Sequence, residues 1–158
     1  MLGLLIALAF VFSYIEFLLP FNIGIPGAKV GLANLAVVVA IYLVGEKEAF
    51  ILYCIRVVLV GFTFGNMAMM MYSIAGAVLS FAVMILAKKT GKLSATGVSV
   101  LGGVFHNVGQ IIVAMFVLET KNILYYLPFL VIMGTISGVV IGLLAGAVIA
   151  RIKKLRYF

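Results

Sequence analysis

The sequence has 158 residues, of which 66% are hydrophobic and 9% charged, and its mean hydropathy is +1.38. A soluble domain carries about 25% charged residues, so this composition excludes a soluble enzyme and places the chain in a lipid bilayer. Its four acidic residues are all glutamates, which removes the aspartate motifs that hold Mg²⁺ or Ca²⁺. One cysteine and one histidine leave no intrachain disulfide and no His/Cys metal cage.

A membrane helix needs about 20 apolar residues, and the polar punctuation divides the chain into six. The expectation is an all-α, six-helix transmembrane bundle forming a single domain over residues 1–158. Helix 1 runs from Leu2 to Leu19 and is stopped by Pro20. It lacks a basic leader and a small-residue cleavage site, so it reads as a retained span, and its abrupt start predicts a few further residues ahead of it. Helix 2 is expected from Lys29 to Val44, and the Gly45–Glu48 turn leads into helix 3, Ala49 to Phe64. Gly65-Asn66 breaks the pattern without a charge, so a re-entrant hairpin is the alternative to two spans here. Helices 4, 5 and 6 are expected at Met67–Ala87, Ser94–Leu118 and Ile123–Ala150.

Six spans put both termini on one side. That side collects Lys47, Lys88, Lys89, Lys92, Arg151, Lys153, Lys154 and Arg156, against Lys29 and Lys121 on the other. The positive-inside rule then puts both termini in the cytoplasm of a cell-membrane protein. The net charge of +7 is thus a topology signal, and nucleic acid is not needed as a partner to explain it.

Gly134, Gly138, Gly142 and Gly146 recur every four residues on helix 6, a groove for close backbone approach. An intramolecular helix contact is favoured over a dimer seam. Gly3 and Ala7 make a shorter small-residue patch on helix 1, suited to packing or to a partner protein. Tyr125, Tyr126, Tyr157 and Phe158 read as interfacial anchors.

Ionisable and amide side chains are costly in hydrocarbon and mark sites by default. Arg56 sits halfway along helix 3, where an internal strut and a ligand contact are equally good readings. His106 sits halfway along helix 5, with Gln110 one turn away on the same face and Asn107 beside it. Three adjacent polar side chains favour a cavity lining over a simple helix contact. Glu16 and Lys29 flank the Pro20–Gly27 loop and are expected to pair, and Asn34 and Asn66 fall in the same half of the bundle. Together these residues predict an outward-facing ligand pocket beneath that loop. The methionines at 67, 69, 70 and 71 lack thiolate partners and read as gap-filling or lipid-facing, not as a Cu(I) site.

The run Tyr14-Ile-Glu16, Leu19-Pro20-Phe21, Pro26-Gly27, Lys29-Val-Gly31-Leu-Ala-Asn34, Arg56, Phe64-Gly65-Asn66, Gly97-Val-Ser-Val100, Gly102-Gly103, His106-Asn107, Gly109-Gln110 and Tyr125-Tyr-Leu-Pro128 resembles the Gx transporter family. That family is also called heptaprenyl diphosphate synthase component I, and the resemblance covers nearly the whole chain. It is similar to the six-helix S components of energy-coupling-factor transporters. This implies capture of a vitamin-, quinone-precursor- or isoprenoid-like solute under the loop after helix 1. It also implies a coupling protein with ATPases, met through a small-residue face of helix 1. Gly3 and Ala7 fall where that face would be, in place of the usual Ala-x-x-x-Ala form.

The synthase name implies at most a helper subunit, because prenyl elongation needs aspartate clusters to hold Mg²⁺ and this chain has no aspartate. Family members also occur with flavin-bearing extracytosolic proteins, which implies an alternative role as the membrane subunit of a quinone-to-flavin electron pathway. The chain has no intrinsic cofactor ligands, so that role requires a bound quinone or flavin as carrier.

Overall fold

The computed structural model describes residues 1–18 and 31–155. Among them the chain forms six α-helices: α1 (Leu2–Leu18), α2 (Leu32–Leu43), α3 (Glu46–Thr63), α4 (Met67–Lys89), α5 (Ala95–Val117) and α6 (Leu127–Leu155). A short 3-10 segment, Asn122–Tyr126, leads into α6. The all-helical bundle expected from the composition is therefore present, and α3 and α4 are two separate helices.

The boundaries that moved did so for local reasons. Val44 and Gly45, the latter at φ 151, complete the α2–α3 turn, so α3 begins at Glu46 and not at Ala49. Glu46 and Glu48 then lie in its first turn, where the helix dipole favours negative charge. Helix α2 begins at Leu32 after Gly31, whose φ of 79 is a left-handed conformation that glycine adopts without strain. The expected helix 2 residues Lys29 and Val30 lie outside the described residues. Helix α6 starts at Leu127, with Pro128 in the first turn where its missing N–H costs nothing, and runs on to Leu155. Lys153 and Lys154 in the last turn suit the negative end of its dipole.

Three helical stretches are long and apolar enough to cross a bilayer: Met67–Lys89, Ala95–Val117 and Asn122–Leu155. Less than a third of each span is buried inside the bundle. Large apolar side chains face outward on each: Leu86, Phe116 and Leu143 are 66%, 76% and 62% exposed. The core mixes alanines such as Ala33, Ala36, Ala40, Ala49 and Ala145 with Ile41, Leu52, Tyr53 and Met84. Many large apolar side chains on the outside, with alanines and glycines at the helix contacts, is the arrangement of a bundle solvated by lipid, where close helix approach replaces the hydrophobic drive to associate.

Helix α2 is the most deeply enclosed element, buried from Ala36 through Ile41 and packed on α1, α3, α5 and α6. The closest pair is α5 with α6. A methyl group added to Gly134, Gly138 or Gly142 would lie 2.9, 2.6 or 2.5 Å from atoms of α5. The glycine groove is therefore filled within the molecule over three of its four positions, while Gly146 faces open space. Gly3 likewise meets nothing, and Gly3 and Ala7 are both exposed on α1.

At the end of the bundle that carries the chain termini, one carboxylate bridges two lysines. Glu46 pairs with Lys88 at 3.8 Å and Lys89 at 3.4 Å. Lys88 also donates to the Ile41 carbonyl at 2.8 Å and lies over the Tyr42 ring, closing the last turn of α2. At the opposite end Phe64 stacks among Phe10, Tyr14 and Phe17, tying the end of α3 to α1 with ring centroids 5.1–5.5 Å apart.

Candidate functional site

The polar residues inside the bundle form a chain of contacts running through five helices. It starts at α1. The Glu16 carboxylate accepts a hydrogen bond from the Gly31 backbone N–H, so a negative charge sits at the N-terminus of α2, where orphan donors and the dipole favour it. One turn into α2, Asn34 Oδ1 accepts from Arg56 Nη1 of α3 at 2.9 Å. The Arg56 guanidinium lies 5.4 Å from the centre of the Tyr53 ring, a cation–π distance. The Tyr53 hydroxyl is 3.1 Å from Ser80 Oγ of α4 and 3.1 Å from His106 Nδ1 of α5.

Tyr53 holds this arrangement together. Its side chain is 1% exposed, and its ring stands nearly parallel to that of His106. Ser80 Oγ is 3.3 Å from the Ala77 carbonyl. With Ser80 donating to that carbonyl, the other protons run one way: His106 Nδ1–H donates to Tyr53 and Tyr53 donates to Ser80. In the neutral ring this tautomer leaves Nε2 as an acceptor.

Glycines set the depth of the site. A methyl on Gly76 of α4 would lie 2.7 Å from the His106 carbonyl oxygen and 2.9 Å from its ring, and one on Gly109 would lie 2.8 Å from the Ala75 carbonyl oxygen. Without side chains at these positions α4 and α5 come close enough for Tyr53 to reach both. An apolar cleft of about 210 Å³ opens beside this point between α3 and α4, lined by Tyr53, Cys54, Val57, Ile74 and Ala77 among others.

Of the residues expected to bind ligand, the structure brings Asn34, Arg56 and His106 into one chain and connects Glu16 to its α2 end. Gln110 is partly buried, one turn further along α5. Two of the expected residues hold structural bonds outside this chain. Asn107 Nδ2 donates to the Leu130 carbonyl of α6 at 2.7 Å, a strut across the α5–α6 interface. Asn66 is exposed, and its Oδ1 accepts from the Met69 N–H at 2.8 Å, so it is the N-cap of α4. Lys29 and the Pro20–Gly27 loop lie outside the described residues, as do Tyr157 and Phe158.

Sequence reasoning missed Tyr53 and Ser80. A signal for the first was present, since tyrosine belongs at membrane interfaces and a mid-span tyrosine needs a buried partner for its hydroxyl. Its spacing of three from Arg56 also puts the two side chains on neighbouring helix turns.

The geometry singles out Arg56. All four glutamates of the chain are described, and the ion pairs among the described residues all use Glu46. No carboxylate among the described residues lies within ion-pair distance of the guanidinium. Its Nε is buried and has no hydrogen-bond partner among the described residues.

Residues 5–148 match the family heptaprenyl diphosphate synthase component I. The match covers most of the chain, which belongs to that family. No curated protein and no solved structure matches it.

Proposed function

We propose that this member of the component I family is a membrane-embedded binding subunit that captures a small ligand at the Asn34–Arg56–Tyr53–His106 chain and takes part in moving it across the bilayer. The observation that carries this reading is the polar chain itself. Each desolvated polar group costs free energy in hydrocarbon, and a bundle held by glycine contacts does not need one polar set spread over three helices. The family's name denotes a component of a synthase, and the role proposed here is likewise non-catalytic: prenyl transfer requires metal-binding carboxylates, and this chain has no aspartate. In this reading the helices span the cell membrane with both termini in the cytoplasm, and energy for transport comes from partner ATPases and a coupling protein that meets the exposed Gly3/Ala7 face.

A second reading draws on Arg56. Its buried Nε–H, without a partner among the described residues, suits a carbonyl oxygen of a quinone head group. The chain would then serve a quinone-to-flavin electron pathway with a flavin-bearing extracytosolic partner.

Purification in mild detergent separates the two. Co-purifying ATPases and a coupling protein support transport, whereas a flavin or quinone absorbance that bleaches on reduction supports electron transfer. His106→Ala and Tyr53→Phe should each lower ligand retention without preventing membrane insertion. Retention unchanged in both would refute a site at this chain.

A further inference from the structure

Resting on the proposed binding role, we infer that Arg56 is an anion-binding residue and that the ligand carries a carboxylate or phosphate group which docks on its guanidinium. A guanidinium halfway along a membrane helix requires a counter-charge or a full set of acceptors. Here the chain supplies one acceptor, Asn34 Oδ1, to one of the terminal nitrogens. The Tyr53 ring face adds electrostatic attraction but accepts no hydrogen bond in its plane.

The carboxylates that could have answered Arg56 are committed elsewhere. Glu16 binds the Gly31 N–H, Glu46 binds Lys88 and Lys89, Glu48 lies in the first turn of α3, and Glu119 lies in the turn after α5. Asn34 holds one edge of the guanidinium, while the buried Nε has no partner among the described residues. A bidentate anion takes two adjacent N–H donors of such a fork and neutralises it at the same time. The Glu46–Lys88–Lys89 cluster is the internal contrast, because there the part-buried Lys88 has a carboxylate of the chain itself as its partner.

The test uses the purified full chain in phosphatidylcholine nanodiscs, with thermal unfolding followed by far-ultraviolet circular dichroism. The probes are inorganic phosphate, dodecyl phosphate, dodecanoate and uncharged dodecanol. The wild type should be stabilised saturably by at least one anionic probe and not by dodecanol. Stabilisation by inorganic phosphate identifies a free anion as sufficient, and stabilisation by dodecyl phosphate or dodecanoate alone identifies an anionic amphiphile whose chain uses the neighbouring cleft. Arg56→Met should weaken that binding by roughly tenfold or more, and Arg56→Lys should retain part of it because the charge remains while the fork is lost.

A second measurement needs no ligand. Arg56→Met alone should unfold at a higher temperature than the wild type, since it removes an unneutralised charge. Equal anion binding by wild type and Arg56→Met overturns the inference, as does wild-type stabilisation that does not distinguish the anions from dodecanol. His106→Ala serves as the control on the underlying reading: if it lowers binding while Arg56→Met does not, the site stands and the anion assignment fails.

Discussion

The α5–α6 interface and the α2–α3–α4 side of the bundle each place a polar side chain deep among apolar neighbours, and they treat it in opposite ways. Between α5 and α6, glycines bring the backbones together and Asn107 spends its amide on the Leu130 carbonyl. The residue is neutral, its bond is short, and its neighbours on α6 leave no space beside it. Arg56 is charged, has one protein acceptor, and keeps a buried nitrogen without a partner among the described residues. Apolar surroundings therefore do not separate a strut from a binding residue. Whether the protein itself satisfies the group does.

The largest expected effect lies on the strut side. Gly138→Leu would drive a side chain into the backbone of Val100, which is 2.6 Å from the position of its first carbon. We expect a loss of about 3 kcal/mol or more, seen as aggregation in size-exclusion chromatography. Arg56→Met comes next and has the opposite sign. Without ligand it should raise stability by about 1–3 kcal/mol, measured by thermal unfolding in nanodiscs, while ligand retention falls. If both substitutions destabilise, Arg56 is a strut like Asn107 and the contrast collapses.

Asn107→Ala should cost about 1 kcal/mol and leave ligand retention intact, because its bond holds α5 to α6 and faces no ligand. Tyr53→Phe is expected to cost a similar amount, about 1 kcal/mol, yet to lower retention as well, since it breaks the link from Ser80 to His106. The two variants thus match in stability and differ in binding. The smallest effect is assigned to Gly146→Ala, within about 0.5 kcal/mol, because a methyl there meets open space. A large loss would show that this end of the glycine groove is covered by another chain.

The helices were legible because each is long, apolar and bounded by glycine, proline or charge. Their ends were less so: nothing in Gly45-Glu-Lys-Glu48 says that the turn ends at Gly45, and the preference of Glu46 and Glu48 for a helix start becomes visible only once the turn is known. For the site, Arg56 and His106 were identifiable as costly residues, but the pairing of each polar group depends on which helix faces which. Asn107 and Asn66 show the limit. Both are polar residues in apolar segments, and composition alone cannot distinguish a carbonyl strut or an N-cap from a cavity lining. Tyr53 shows the converse, a residue counted among the apolar majority whose hydroxyl joins α3, α4 and α5.

The central claim is that Arg56 meets a ligand whereas Asn107 meets only the protein. Mass spectrometry of small molecules extracted from wild type, Arg56→Met and Asn107→Ala, purified side by side, tests it most directly. The account predicts an anionic species present in wild type and Asn107→Ala and depleted in Arg56→Met. The same species at the same level in all three proteins would contradict it.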